Sequence, residues 1–219
     1  MSFNLGEVLQ TFPETWKSAN TYFLDIAGGI IIDPGKMRTE EFSKEVKYVI
    51  ATHGHFDHLM GLETWWDGKN SFYYPDADRP LLSDPEANAS KLFAHKREFP
   101  EADVYLKDGD KVDLDEEFSF HVYNTPGHTP GSSCYLLLQN TIDGHKPLCM
   151  FSGDMIFFNS IGRTDLITGN PDAMRQSVDK MREVLSELPD DLPILSGHGR
   201  ATTPALLRKE NPFFRKNGL

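Results

Sequence analysis

The hydrophobic positions of this chain come mostly in short runs, with one long stripe of helical period. "NTYFLDIAGGIIID" (20–33) reads as two strands joined by a turn at Ala27, Gly28 and Gly29, after which "DPG" (33–35) breaks the chain. "EVKYVIAT" (45–52) is a continuous β-branched and aromatic run, the composition of a strand covered on both faces. A short helix is expected over "LMGLETWW". In "FSFHVYN", Phe118, Phe120 and Val122 alternate with polar neighbours, the period of a half-buried strand. "SSCYLLL" and "KPLCMFSGD" continue that sheet on either side of a turn at "NTIDGHK", and "LPILSGHG" (192–199) adds a short strand running into a histidine turn. The stripe is Met174, Val178, Met181, Leu185 and Leu188, which predicts a helix over 171–188. Asn170 can cap it, Pro171 suits its first position, and Pro189 ends it.

Residues 75–103 are charged and punctuated by proline, with one helical stretch expected around 86–96; they read as an excursion from the core. Strands in both halves with helices between them define an α/β chain, either two stacked sheets flanked by helices or an open sheet. The 219 residues, 39% of them hydrophobic, suffice for one substantial core, so a single domain over 1–219 is expected. No apolar run is long enough to span a bilayer. The N-terminal stretch lacks the basic start and apolar core of an export signal, so a cytoplasmic location without membrane attachment is expected. Cys134 and Cys149 lie in apolar runs and read as reduced, packed thiols. The net charge of −11 repels phosphate backbones, which argues against a nucleic-acid substrate.

The chemistry is concentrated directly after the 45–52 run, in "THGHFDH". His53, His55 and Asp57 alternate and could share one side of an extended segment, with His58 directed elsewhere. Imidazole and carboxylate are good ligands for zinc and comparable divalent ions. Three further segments end in the same manner: "TPGHTPG" with His128, "FSGDMIF" with Asp154 and "LSGHG" with His198. Gly127, Gly153 and Gly197 precede these three, as expected where backbone must approach a crowded centre or turn sharply. Singly, a histidine in a glycine turn is more often exposed or hydrogen-bonded, and an aspartate such as Asp154 can simply stabilise a turn. Packing does not explain the recurrence of polar donors at strand ends. His95, His121 and His145 match none of these segments and read as structural or exposed; Lys209 and Arg215 read as solvated.

"THGHFDH" followed in order by "GHTPGS", "SGD" and "SGHG" resembles the metallo-β-lactamase superfamily over nearly the whole chain. The resemblance implies a four-layer αβ/βα sandwich with a binuclear metal site at a sheet edge. His53, His55 and His128 would hold the first ion; Asp57, His58 and His198 the second; Asp154 would bridge both. Two divalent ions are implied, zinc first, with iron or manganese as alternatives. "FNSIGRTDL", "NPFF" and "LSDPEANAS" are similar to small glyoxalase II-like (hydroxyacylglutathione hydrolase-like) enzymes. Members with a cysteine ligand near the bridging aspartate are less similar, since "SGDMIF" offers none. Full-length glyoxalase II carries a further C-terminal helical domain that holds glutathione; the chain ends soon after His198, so that domain is expected to be absent.

Such a site implies a metal-bridging hydroxide attacking a small acyl-thioester, oriented by Asp57. A thiolate, with a pKa near 8.5, leaves without strong acid assistance, whereas an amide needs a proton donor that these segments lack. The expected partner is therefore a small-molecule thioester and not nucleic acid. Oligomeric state is not legible. Two other readings stand beside this one. "GRTDL" also resembles persulfide dioxygenases, in which His53, His128 and Asp154 would hold one iron. A non-enzymatic, metal-stabilised binding domain is the other, although no ligand of the set is missing. Arg163, Thr164 and Asp165 follow the bridging residue and could either brace the site or touch substrate.

Overall fold

Two sheets take up the apolar runs. The computed structural model describes residues 3–40, 42–93 and 95–215. The chain divides into two compact units, one ending at Leu106 and the other starting at Lys107, each with its own sheet.

Among the described residues, the first unit has six strands in sequence order: β1 (Leu9–Phe12), β2 (Thr21–Leu24), β3 (Ile30–Ile32), β4 (Tyr48–Ile50), β5 (Ser71–Pro75) and β6 (Val104–Leu106). Helix α1 (Leu5–Val8) precedes β1. β1, β2 and β3 pair antiparallel, while β3 to β6 pair in parallel. β2, β3 and β4 are buried along their whole length, as continuous apolar runs demand when both faces are covered. The predicted pair in 20–33 is β2 and β3, with Ala27, Gly28 and Gly29 all at positive φ in the turn. The helix expected over "LMGLETWW" is instead two single turns, α2 (Phe56–Leu59) and α3 (Leu62–Trp65). They separate at Gly61, where a Cβ would stand 2.2 Å from the Lys36 carbonyl oxygen. Val49, Phe56, Leu59, Trp65 and Phe72 belong to one buried cluster, so α2 is anchored through its apolar residues.

The 75–103 excursion holds two 3₁₀ segments, Asp76–Leu82 and Ser90–Phe93, in place of the helix expected around 86–96. The cause is Asn88. Its buried side chain donates to the carbonyls of Leu81 and Arg97 and accepts from the Ser90 amide, offering the backbone an alternative to the helix. The Asn88 carbonyl in turn accepts from the Phe56 amide, and Phe93, His95 and Phe99 pack on the Phe56 ring. The excursion therefore braces α2.

In the second unit the strand order is β11, β10, β9, β8, β7. β7 (Lys111–Asp113), β8 (Phe118–Asn124), β9 (Ser133–Thr141) and β10 (Gly144–Gly153) are successive antiparallel partners, and β11 (Ile194–Ser196) pairs in parallel with β10. The hairpin between β9 and β10 is tighter than "NTIDGHK" suggests, with Thr141 opposite Gly144, so His145 and Lys146 already lie in the strand. Helix α4 (Pro171–Ser186) starts where predicted, with the Asn170 side chain accepting from the amides of Asp172 and Ala173. Met174, Val178, Met181 and Leu185 are buried against Met150, Ile156 and Ile194 in a second core cluster. The helix stops two residues earlier than its apolar stripe because Pro189 disfavours helical dihedrals at Leu188. Helix α5 (Pro204–Glu210), capped by Thr203, follows β11. Among the described residues, no helix is long and apolar enough to cross a membrane.

Cys134 and Cys149 are free and buried, as their apolar runs imply. Burial pushes the Cys134 thiol up to about 12, opposed weakly by a contact with Thr125, and pushes Cys149 up as well. Both thiols should therefore resist a thiol reagent in the native protein and react once it unfolds. The same shifts fix a sign for stability. Unfolded thiols ionise near pH 8.5 while the folded ones stay protonated, so stability is intact below that pH and falls above it. The loss should approach ~1.4 kcal/mol per pH unit for each thiol, read as a lower urea midpoint at pH 10 than at pH 8.

Candidate metal centre

Strand direction explains how scattered donors come together within each unit. β3, β4 and β5 run parallel, so their C-terminal ends share one sheet edge, the position where open α/β sheets hold ligands. Asp33 follows β3, Thr52 to His55 follow β4, and Asp76 to Asp78 follow β5. In the second unit β9 is antiparallel to both β8 and β10, and β11 is parallel to β10. The ends of β8, β10 and β11 therefore also share an edge, and they lead to His128, Asp154 and His198 respectively.

On the first edge the rings of His53 and His55 are 4.9 Å apart, and those of His53 and His58 are 4.0 Å apart. All three histidines are buried, while Asp57 is partly exposed. The expectation that His58 points away from the others is corrected here. The segment is not extended through 58: it turns into α2 at Phe56, which returns the His58 ring beside His53 and sets its Nε2 4.0 Å from Asp57 Oδ2. The turn itself is held by the Gly54 amide donating to buried Asp78. A Cβ at Gly54 would lie 2.2 Å from the Tyr74 hydroxyl, which is why the residue between the first two histidines is glycine.

Asp33 is the main feature that sequence reasoning missed. Buried and at φ 52°, a left-handed dihedral that aspartate tolerates better than most residues, it accepts from the Thr52 amide at 2.7 Å and the Thr52 hydroxyl at 2.9 Å. Its Oδ2 also lies 2.9 Å from His58 Nδ1. Thr52 Oγ1, whose proton goes to Asp33, is 3.2 Å from His53 Nδ1 and can only accept there. This pattern assigns the His53 proton to Nδ1 and leaves its lone pair on Nε2, while the Asp33 carboxylate faces His58 Nδ1 as a close charged neighbour. The only sequence signal was an acidic residue directly after a buried strand neighbouring the histidine strand. Asp33→Asn, which turns an acceptor into a donor toward Thr52 and His58, should weaken metal binding about 10–100-fold in a chelator competition assay.

On the second edge His128 Nδ1 lies 2.8 Å from the Arg163 carbonyl oxygen, which only accepts. Its proton is thus on Nδ1, and Nε2 presents a lone pair 3.4 Å from Asp154 Oδ2. Nε2 of His198 is 3.7 Å from the same oxygen. Lone pair facing carboxylate is repulsive unless a cation mediates, so the donor set fits a divalent ion. His128 and Asp154 are buried and His198 is half-buried. Arg163 braces the site through its backbone, while its guanidinium pairs with Asp165, the partner that raises the arginine and holds the Asp165 carboxyl down at about 2. Gly127 adopts φ 141° and a Cβ there would meet Met174 Cα at 2.5 Å, so both turn and close approach require glycine. Gly153 is also at positive φ; around His198 the left-handed residue is Gly199, after the histidine, and not the expected Gly197. His145 is exposed on Asn140, His121 sits beside Tyr123 and His95 stacks on Phe56, apart from either edge set.

Parallel strands feeding histidines and aspartates to a sheet edge define a metal-binding α/β protein of the metallo-hydrolase kind. The chain belongs to the metallo-beta-lactamase superfamily, whose family model matches residues 15–198. Members generally catalyse hydrolysis with one or two divalent metals. The chain is 31% identical to hydroxyacylglutathione hydrolase GloC of Haemophilus influenzae, over 86% of this chain and 88% of that protein. Among solved structures it is similar to the BLEG-1 B3 metallo-beta-lactamase, with TM-score 0.79 and 29% identity over 94% of this chain and 99% of the other. It is also similar to TTHA1623 in a di-iron-bound form, with TM-score 0.75 and 25% identity over 93% and 99%. The mixed α/β architecture with two sheets matches the fold of that superfamily.

Proposed function

We propose that this chain is a binuclear metal-dependent hydrolase of small acyl-thioesters. His53, His55 and His128 would hold one ion, Asp57, His58 and His198 the other, and Asp154 both. A bound pair of divalent ions lowers the pKa of water toward neutrality and polarises a carbonyl oxygen. The chain's own groups supply the rest. Asp33 and Thr52 hold the tautomer of His53, the Asp33 carboxylate faces His58, and the Arg163 carbonyl holds the tautomer of His128. Asp57, partly exposed, would accept a hydrogen bond from the attacking water and orient it.

The similarity to GloC is the observation that carries the thioester assignment over other acyl substrates. The leaving-group chemistry agrees: a thiolate needs no acid partner, and none stands among the matched donors. Zinc is the proposed metal, with iron or manganese as alternatives, and a small-molecule thioester the proposed partner. The "GRTD" segment, whose arginine and aspartate pair at 2.6 Å, favours a persulfide dioxygenase as the second reading. A panel of acyl-thioesters assayed beside a persulfide, with oxygen uptake recorded, separates the two. Thioester cleavage without oxygen uptake is expected. Oxygen consumption on the persulfide with no thioester cleavage would reject the hydrolase.

A further inference from the structure

Among the described residues, the side chain of every arginine but one meets a carboxylate or a backbone carbonyl. The exception is Arg200. Among the described residues its guanidinium meets no carboxylate or carbonyl and lies instead over the face of the Phe158 ring, 3.6 Å from the guanidinium carbon to the ring centroid. An exposed arginine in a chain of net charge −11 has carboxylates in plenty to pair with, yet this one is stacked instead. Stacking fixes the plane of the guanidinium while leaving its donor edge available.

The surroundings of Arg200 are prepared in the same way. A groove of about 450 Å³ is lined by Phe157, Phe158, Asn159, Ser160, His198 and Arg200. One wall is fixed by the buried Asn211, whose side-chain amide donates to the carbonyls of Phe157 and Ser160 at 2.9 and 2.8 Å. The other wall is fixed by the Ser196 hydroxyl, which donates to the His198 carbonyl at 2.8 Å and lies 3.5 Å from that of Arg200. Gly199, at φ 72°, makes the turn that seats Arg200 two residues from His198. The edge of Phe157 approaches the His198 ring, with centroids 6.3 Å apart. The result is a preformed pocket of two aromatic rings and one stacked guanidinium, opening beside a proposed metal ligand.

We infer that Arg200 is a specificity-determining residue that receives a carboxylate carried by the substrate, so that the thioesters preferred by this chain are anionic. A planar guanidinium edge matches a carboxylate in bidentate fashion. One cation stacked on an aromatic ring suits a single negative charge, whereas a phosphate dianion would call for further arginines or lysines that the groove does not offer. The carboxylate can sit on the acyl group or on the thiol carrier, and in either place it would leave the thioester carbonyl near His198. Only the identity of the ligand as a thioester rests on the proposed function; the carboxylate recognition rests on the groove.

The test has a binding arm and a turnover arm, both on the zinc-loaded full chain. By calorimetry, succinate should bind at least about tenfold more tightly than propionate, and Arg200→Ala should abolish that difference while leaving propionate unchanged. Arg200→Lys, which keeps the charge but loses the fork, should fall between them. For turnover, S-succinyl-N-acetylcysteamine places the carboxylate on the acyl side, S-propionyl-mercaptoacetate places it on the thiol side, and S-propionyl-N-acetylcysteamine carries none. Arg200→Ala should raise the KM of whichever anionic ester the wild type prefers about ten- to a hundredfold, with the neutral ester within about twofold. Equal binding of succinate and propionate to the wild type, an equal loss for both in Arg200→Ala, or tighter binding of inorganic phosphate than of succinate would overturn the inference. If no thioester is cleaved but the succinate preference is present and lost in Arg200→Ala, the hydrolase reading fails and the carboxylate pocket stands.

Discussion

Asp154→Ala is expected to lower turnover by at least about a hundredfold while leaving the fold in place. The magnitude follows from position. Asp154 leaves the end of β10 with Oδ2 3.4 Å from His128 Nε2 and 3.7 Å from His198 Nε2, so its carboxylate faces both rings. Removing a partner one shell further out already costs about 10–100-fold in metal affinity or activity. As the proposed ligand to both ions, Asp154 should cost more, and its loss should deplete both. The fold should survive because the residue terminates a strand and is no part of the apolar cluster that holds β10 against α4. The measurement is turnover of metal-replete protein together with its thermal midpoint. Near-normal turnover with full metal content would reject the bridging role. Asp154→Asn, which keeps the shape and one acceptor but not the charge, should lie closer to alanine than to wild type.

The second large effect is asymmetric. His128→Ala and His198→Ala should each reduce activity strongly, but they should not empty the same position. His128, buried with its proton fixed by the Arg163 carbonyl, would on the proposed arrangement serve the same ion as His53 and His55. His198, half-buried beside the Phe157–Ser160 groove, would on the same proposal serve the ion of Asp57 and His58. Each variant should therefore retain about one equivalent of metal, and the remaining ion should differ in affinity and exchange rate between them. Metal analysis after limited dialysis against a chelator reads this directly. Equal, unchanged metal in both variants would remove the assignment.

Much of this was legible in the residues, for physical reasons that can be named. β4 announced itself as an uninterrupted apolar run because parallel strands covered on both faces have no polar side to show. α4 was legible from cap to last turn because Asn170, Pro171 and the stripe from Met174 to Leu185 all agree. What escaped was governed by contacts remote in sequence. β1, β5, β6 and β7 each include half-buried or exposed positions, and only pairing gives them their strand character. The helix expected around 86–96 gave way to the side chain of Asn88, whose three hydrogen bonds to backbone cannot be read from composition. The donors themselves were visible as histidines and aspartates after strands, but their neighbours were not. Asp33 gives no sign in "IIIDPG" that it reaches Thr52 and His58, since that depends on β3 pairing with β4. Arg200 was likewise invisible, for an unpaired guanidinium is a property of its surroundings.

The most direct test of the account is a metal titration of the full chain followed by turnover. Protein freed of metal by a chelator is loaded stepwise with zinc while cleavage of an acyl-thioester is recorded. The binuclear hydrolase predicts activity that climbs to a plateau at two equivalents per chain, with little reached at the first. A plateau at one equivalent, or activity that appears only with iron and consumes oxygen on a persulfide, would contradict it.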